Sequence, residues 1–151
     1  MNIFSDVSLK TEAGDLIFSP VGVYRSEGVF DYNITCALAE RFSGLLPGSF
    51  ACRLYRKDIE GLISYFDVHL RSLVAGKFIE SLSFLPLEGD IQIKGLDGEV
   101  TDFFDGYFSI NILFNCGKAN RSSSNTYFGF ETVVEVVAVH EFCDGLKRFI
   151  L

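Results

Sequence analysis

Between Phe30 and Ala39 the chain repeats with a period of two. Phe30, Tyr32, Ile34, Cys36 and Leu38 are apolar, and Asp31, Asn33, Thr35, Ala37 and Ala39 fill the places between them. Successive side chains of an extended strand point to opposite faces, so this alternation specifies a strand with one face in a core. From Lys57 the period changes: Ile59, Leu62, Ile63, Phe66, Leu70 and Leu73 recur at steps of three and four, which gathers them on one side of a helix. Asp58 and Glu60 near its start and Arg71 near its end suit the helix dipole. The spacing predicts a helix over about 57–74, stopped near Gly76.

The other segments are shorter. Leu16 and Phe18, then Val21 and Val23, flank Pro20, which cannot donate to a ladder, and predict an edge strand or one broken by a bulge. Pro47-Gly48 marks a turn before a short strand at 51–54. Strands are expected at 78–85, 91–96 and 107–114, with turns at 87–90, Asp97-Gly98 and Asp105-Gly106. A polar loop at 117–125 then leads to a strand at 127–130. Thr132-Val133-Val134-Glu135 has the spacing of a capping box, and Val136, Val139, Cys143, Leu146 and Ile150 continue at helical intervals, so a second helix is expected over about 136–149. The gaps between strands are too short for helical crossovers, which makes an antiparallel meander the simplest connection. The expected architecture is one α+β domain spanning residues 1–151: a mainly antiparallel sheet, curled or paired as a sandwich, with two packed helices.

Sixteen phenylalanines in 151 residues, with 48% hydrophobic residues, exclude a disordered chain, and no stretch approaches the uninterrupted apolar length of a membrane span. The N-terminal MNIFSDVSLKTEAGD lacks the basic start, apolar run and cleavage site of a signal peptide, so a soluble, cytoplasmic protein is expected. Cys36, Cys52, Cys116 and Cys143 are widely spaced without a C-x-x-C pair, as reduced thiols would be rather than a disulfide frame or a zinc site.

The net charge of −7 is unevenly distributed: residues 80–105 hold seven acids and one base, while residues 41–79 hold three acids and six bases. Nucleic acid is a poor partner for such an acidic block, and a basic protein is a better one. Phe103 and Phe104 lie between Asp102 and Asp105, and an apolar anchor ringed by charge is how protein interfaces are built. The expected partner-binding set is therefore Glu88, Asp90, Asp97, Glu99, Asp102, Phe103, Phe104 and Asp105.

Catalytic signatures are weak. The two histidines are His69, expected on the flank of the first helix, and His140, three residues before Cys143 on the second. A Cys–His pair activates a thiolate only where it lines a cleft, and Cys143 falls on the apolar stripe. The acids at 97–106 do not follow the EF-hand ligand order, and there is no phosphate-binding or nucleophile-elbow motif. No catalytic residue, metal or cofactor is expected.

In order, the chain presents Phe42-Ser43-Gly44, a helix patterned D-I-E-x-L-x-x-x-F-x-x-x-L-x-x-L from Asp58 to Leu73, a strand at 81–85, I-Q-I-K-G at 91–95, D-G-Y at 105–107 and a closing F-C-D-G-L-K-R-F at 142–149. This plan resembles the WapI-type immunity proteins of bacterial polymorphic toxin systems and their uncharacterised relatives. The resemblance covers about residues 15–150 and rests on apolar spacing. It implies an α+β fold, and a cytoplasmic, non-enzymatic protein that neutralises a toxin domain by binding it. The family motif carries no catalytic residues, and contact residues vary with the toxin. Valines stand where the family's last helix has an aspartate-led polar start. The resemblance and the acidic block together predict an inhibitor of a basic toxin domain, with neither nucleic acid nor membrane as partner and the oligomeric state open. The alternative is a small-ligand-binding or regulatory β-rich domain, its Phe and Tyr residues lining a cavity between sheet and helix.

Overall fold

Both places where the apolar period changes are places where a strand runs directly into a helix. The computed structural model describes residues 4–77, 82–117 and 124–151. Strands β1 (Val7–Thr11), β2 (Gly14–Tyr24), β3 (Val29–Leu38) and β4 (Ser49–Tyr55) form an antiparallel meander in chain order, and helix α1 (Arg56–Val74) follows β4 without a loop. A second meander of β5 (Ile91–Asp102), β6 (Asp105–Asn115) and β7 (Tyr127–Glu135) leads in the same way into α2 (Val136–Ile150). The protein is an α+β domain with two unclosed antiparallel sheets.

Each helix packs chiefly on the sheet it does not follow: α1 against β5, and α2 against β1. This exchange lets two small meanders share one core. Phe142 of α2 meets Phe18 of β2 at 5.2 Å and Phe66 of α1 at 6.5 Å between ring centroids. Phe149, two turns further along the same face of α2, meets Tyr32, Phe30 and Phe4. Phe50 of β4 stacks on Phe114 of β6 at 4.2 Å, bringing the two sheets into direct contact. The aromatic side chains that a ligand cavity between sheet and helix would need are thus largely packed against one another.

The ends of α1 explain its length. Asp58 reaches back to accept the Tyr55 N–H at 2.8 Å, and its other oxygen accepts from the Leu87 N–H at 3.1 Å. At the far end Gly76, with φ of 68°, receives the helix in a Schellman turn: Gly76 N–H donates to Leu73 and Lys77 N–H to Ser72. Arg56 Nη1 donates to the Ile150 carbonyl at 2.6 Å, tying the start of α1 to the last turn of α2.

Several expectations change. Strand β1 is an addition: its alternation, Val7 and Leu9 inward, is too short to stand out in the sequence. Of the two readings of Pro20 the bulge holds and the edge does not: β2 is interior and shifts register against β3 at Pro20, just past the end of β1, so the missing N–H breaks no ladder. Of the strand expected at 78–85, residues 78–81 lie outside the described residues, and Phe84 makes only an isolated bridge to Ile93. Asp97-Gly98 is a bulge inside β5, where Gly98 packs so closely on Tyr107 and Phe108 that a Cβ would fall 2.2 Å from the Tyr107 oxygen. The hairpin instead turns over two residues, Phe103 and Phe104, with Asp102 paired to Asp105. The capping box at 132–135 does not form, because those residues belong to β7; Thr132 Oγ1 accepts from the Ala13 N–H at 3.1 Å instead. The expected loop at 117–125 is described only at its two ends. No helix among the described residues is long and apolar enough to cross a membrane.

Candidate functional site

The β5–β6 hairpin ends in two adjacent phenylalanines, and its geometry sends them in different directions. Asp102 accepts the Phe104 N–H at 2.7 Å, and Thr101 Oγ1 donates to the Asp105 carboxylate at 2.9 Å, which closes the turn. Phe103 turns toward α2 and is half-buried, packed on the core and within 5.4 Å of the His140 ring. Phe104 turns outward and is 69% exposed. His140 lies against both rings, and its Nε2–H donates to the Phe103 carbonyl oxygen at 2.6 Å.

Beside Phe104 a groove of about 820 Å³ opens between the hairpin, the β1–β2 turn, the end of β7 and the first turns of α2. Apolar surface comes from Phe104, Tyr107 and Val137; carboxylates come from Glu12, Asp105, Glu135 and Glu141, with Lys10 as the single base among the described lining residues. Tyr107 sits between Glu99 and Glu135 in a cross-strand row and is 45% exposed. The Glu99 carboxylate raises its phenol pKa above the ordinary value, with further contributions from burial, a hydrogen bond to Glu99, and Glu12. Two of those causes, the Glu99 and Glu12 charges, are negative charges acting at the phenol. Such a site attracts cations, and its exposed aromatic faces add cation–π attraction for Lys or Arg.

Of the residues expected to bind a partner, Phe104 and Asp105 line this groove and Glu99 borders it. Asp102 and Phe103 build the turn behind it. The rest are elsewhere. Glu88 accepts from the Tyr55 hydroxyl at 2.8 Å and Asp90 from the Arg53 N–H at 2.8 Å, so both fasten the turn before β5 to β4, at the opposite end of that strand. Asp97 lies at the β5 bulge, where it accepts the N–H of Gly98 at 2.8 Å. Glu80 lies outside the described residues. Sequence reasoning missed Glu12, Tyr107, Glu135 and Glu141, which come from three separate stretches of chain with no common motif.

The histidines and cysteines are occupied otherwise. His69 is not on the flank of α1 but in the core, 1% exposed. Its Nε2–H donates to the Leu96 carbonyl at 2.8 Å, its ring lies edge-on to Phe108, and burial lowers its pKa. Burial pushes the Cys143 thiol up to about 12 and that of Cys36 up to about 11, which keeps both protonated at neutral pH. Among the described residues no three His, Cys, Asp or Glu side chains converge as a metal-ligand set.

No family model, no curated protein and no solved structure matches the chain.

Proposed function

We propose that this chain is a non-enzymatic, cytoplasmic binding protein, an immunity-type inhibitor that neutralises a basic toxin domain by docking it on the groove beside Phe104. The observation that carries this reading is the combination at one place of exposed aromatic surface, Phe104 and Tyr107, with a rim of carboxylates drawn from four elements. Isolated exposed charges contribute little, whereas converging ones steer association and suppress uncharged or acidic partners. The exposed Phe104 supplies the apolar centre that an interface needs, and the acids supply its rim. The raised Tyr107 pKa, the acidic composition and the resemblance to immunity proteins point the same way.

The test is capture of partners from the native host with the tagged chain, followed by calorimetry of the leading candidate at two salt concentrations. A basic partner whose affinity falls with salt, and falls about 10- to 100-fold further on joint reversal of Asp105, Glu135 and Glu141 to Lys, is the expected result. A tight partner indifferent to both salt and charge reversal would show that this groove is not the docking surface. A co-purified small molecule in place of a protein would move the weight to a ligand-binding domain.

A further inference from the structure

The acidic groove does not end at Val133. Glu12 and Val133 also line a second depression, which contains Arg41 and Phe42. Ala13, Phe42 and Glu131 continue into a third, mainly apolar one, where Leu45 and Phe128 stand 74% and 57% exposed. The three are one trough following β7 from Glu135 to Gly129, roughly 20 Å at the rise of an extended chain. Its character changes along its length: acidic at the α2 end, of mixed charge at Arg41 and Glu131, apolar at Leu45 and Phe128.

The strand edge beneath it is covered by the β1–β2 turn at Thr132 and Val133 and is open beyond, at Glu131 and Gly129. On one side β7 pairs with β6; on the other, its described backbone contact with the first sheet is the Glu12 N–H to Val133 carbonyl bond at 3.0 Å. Val133 thus turns its carbonyl away from β6, and Glu131 and Gly129, at two-residue steps on the same strand, turn theirs the same way. That edge is hydrogen-bonded to no other strand among the described residues. An open edge flanked by side-chain depressions is the arrangement that accepts an extended peptide.

We propose that this trough binds an extended segment of the protein partner, about six to eight residues long at 3.3 Å per residue, cationic where it crosses Asp105, Glu135 and Glu141 and bearing a large apolar side chain that seats between Leu45 and Phe128. The inference rests on the acidic groove being the docking surface, and adds the partner's conformation and its charge pattern. Charge complementarity selects the occupant: a second copy of this chain would bring a net charge of −7 to the acidic end. The apolar end sets the register of the segment and retains affinity at high salt, where the acidic end is screened.

The probes are two fluorescein-labelled ten-residue peptides, each made in both chain directions. One carries three alternating arginines at one end and Leu-Phe at the other; the second has Ser-Ser in place of Leu-Phe. Measured by anisotropy against the full chain, the first should bind at least tenfold more tightly than the second in one direction. L45S and F128S should each abolish that difference without changing the affinity of the second peptide or the thermal midpoint, and E135K/E141K should weaken both peptides. Equal affinity of the two peptides in both directions, persistence of their difference in L45S and F128S, or no binding of either, overturns the extended-segment inference and leaves the acidic docking surface to the partner-capture test. Binding that ignores both salt and E135K/E141K overturns the acidic surface itself.

Discussion

His140 on α2 donates its Nε2–H to the carbonyl oxygen of Phe103 at 2.6 Å, so the tip of the β5–β6 hairpin is fastened to the helix that forms the neighbouring wall of the groove. It adds to the bonds within the turn, Asp102 to the Phe104 N–H and Thr101 to Asp105, and to the packing of Phe103 on the core under the Arg71 guanidinium. The bond, with His140 lying against both rings, and the Asp102 bond to the Phe104 N–H together hold the tip that presents Phe104 outward.

His140→Ala should therefore lower stability by about 1–2 kcal/mol, the worth of one hydrogen bond and a ring contact. It should also accelerate amide exchange at residues 103–106 and weaken partner binding although residue 140 need not touch the partner. Urea denaturation and hydrogen exchange check this. Unchanged exchange at the hairpin would show that the turn holds itself.

The pH dependence of stability should carry the mark of His69. Burial lowers its pKa below the ordinary 6.5, so the folded state resists a proton that the unfolded chain accepts. Its full contribution is present above about pH 6.5 and declines as pH falls through that value, by up to ~1.4 kcal/mol per pH unit until the folded pKa is reached. His69→Gln, compared with the parent by urea denaturation at pH 7 and pH 5, should show a smaller loss on acidification. Equal losses would place the acid sensitivity in the carboxylates instead.

Gly95 and His69 should be energetically coupled. A Cβ at Gly95 would lie 2.6 Å from both Cδ2 and Nε2 of the imidazole, and the ring is held by its bond to Leu96 and its contact with Phe108. Gly95→Ala should cost roughly 1–3 kcal/mol through overpacking. In a His69→Ala background the same substitution should cost less by at least ~0.5 kcal/mol, a shortfall from additivity that a double-mutant cycle measures.

Tyr32 carries a buried hydroxyl without a hydrogen-bond partner among the described residues, and desolvation raises its phenol pKa steeply. Tyr32→Phe should be neutral or stabilising by up to ~1 kcal/mol, since it removes an unsatisfied group and leaves the ring. Tyr32→Ala, which removes the ring from Phe18 and Phe149, should cost about 3–5 kcal/mol. Thermal or urea denaturation separates the two, and a destabilised Tyr32→Phe would reveal a partner for the hydroxyl.

Much of the fold was legible. The helix predicted over 57–74 is Arg56–Val74 and the one over 136–149 is Val136–Ile150, because a period of three and four persists over enough turns to outweigh local propensity. The antiparallel connections followed from loop lengths. The misreadings are equally physical. Asp-Gly is a hairpin signal only where the chain reverses, and at Asp97-Gly98 the pair serves a bulge because Tyr107 and Phe108 come close across the sheet. Thr132 to Glu135 has the spacing of a cap, but pairing with β6 outweighs it and the strand runs on to Glu135.

The candidate site was legible only in part. The acidic block and its two phenylalanines are contiguous in sequence, but the hairpin that delivers Phe104 and Asp105 to the surface turns at Phe103-Phe104 and not at the expected Asp105-Gly106. Glu88 and Asp90 share the block but not the place, since β5 carries them to the opposite end of the sheet.

The sequence by itself determined which faces are buried, because periodicity records the direction of each side chain relative to its own backbone. Only the tertiary structure decided which exposed residues are neighbours. Glu12, Asp105, Glu135 and Glu141 meet because the β1–β2 turn docks on β7 and α2 returns across β1. Those are contacts between residues far apart along the chain, set by the packing of whole elements, and no local spacing encodes them.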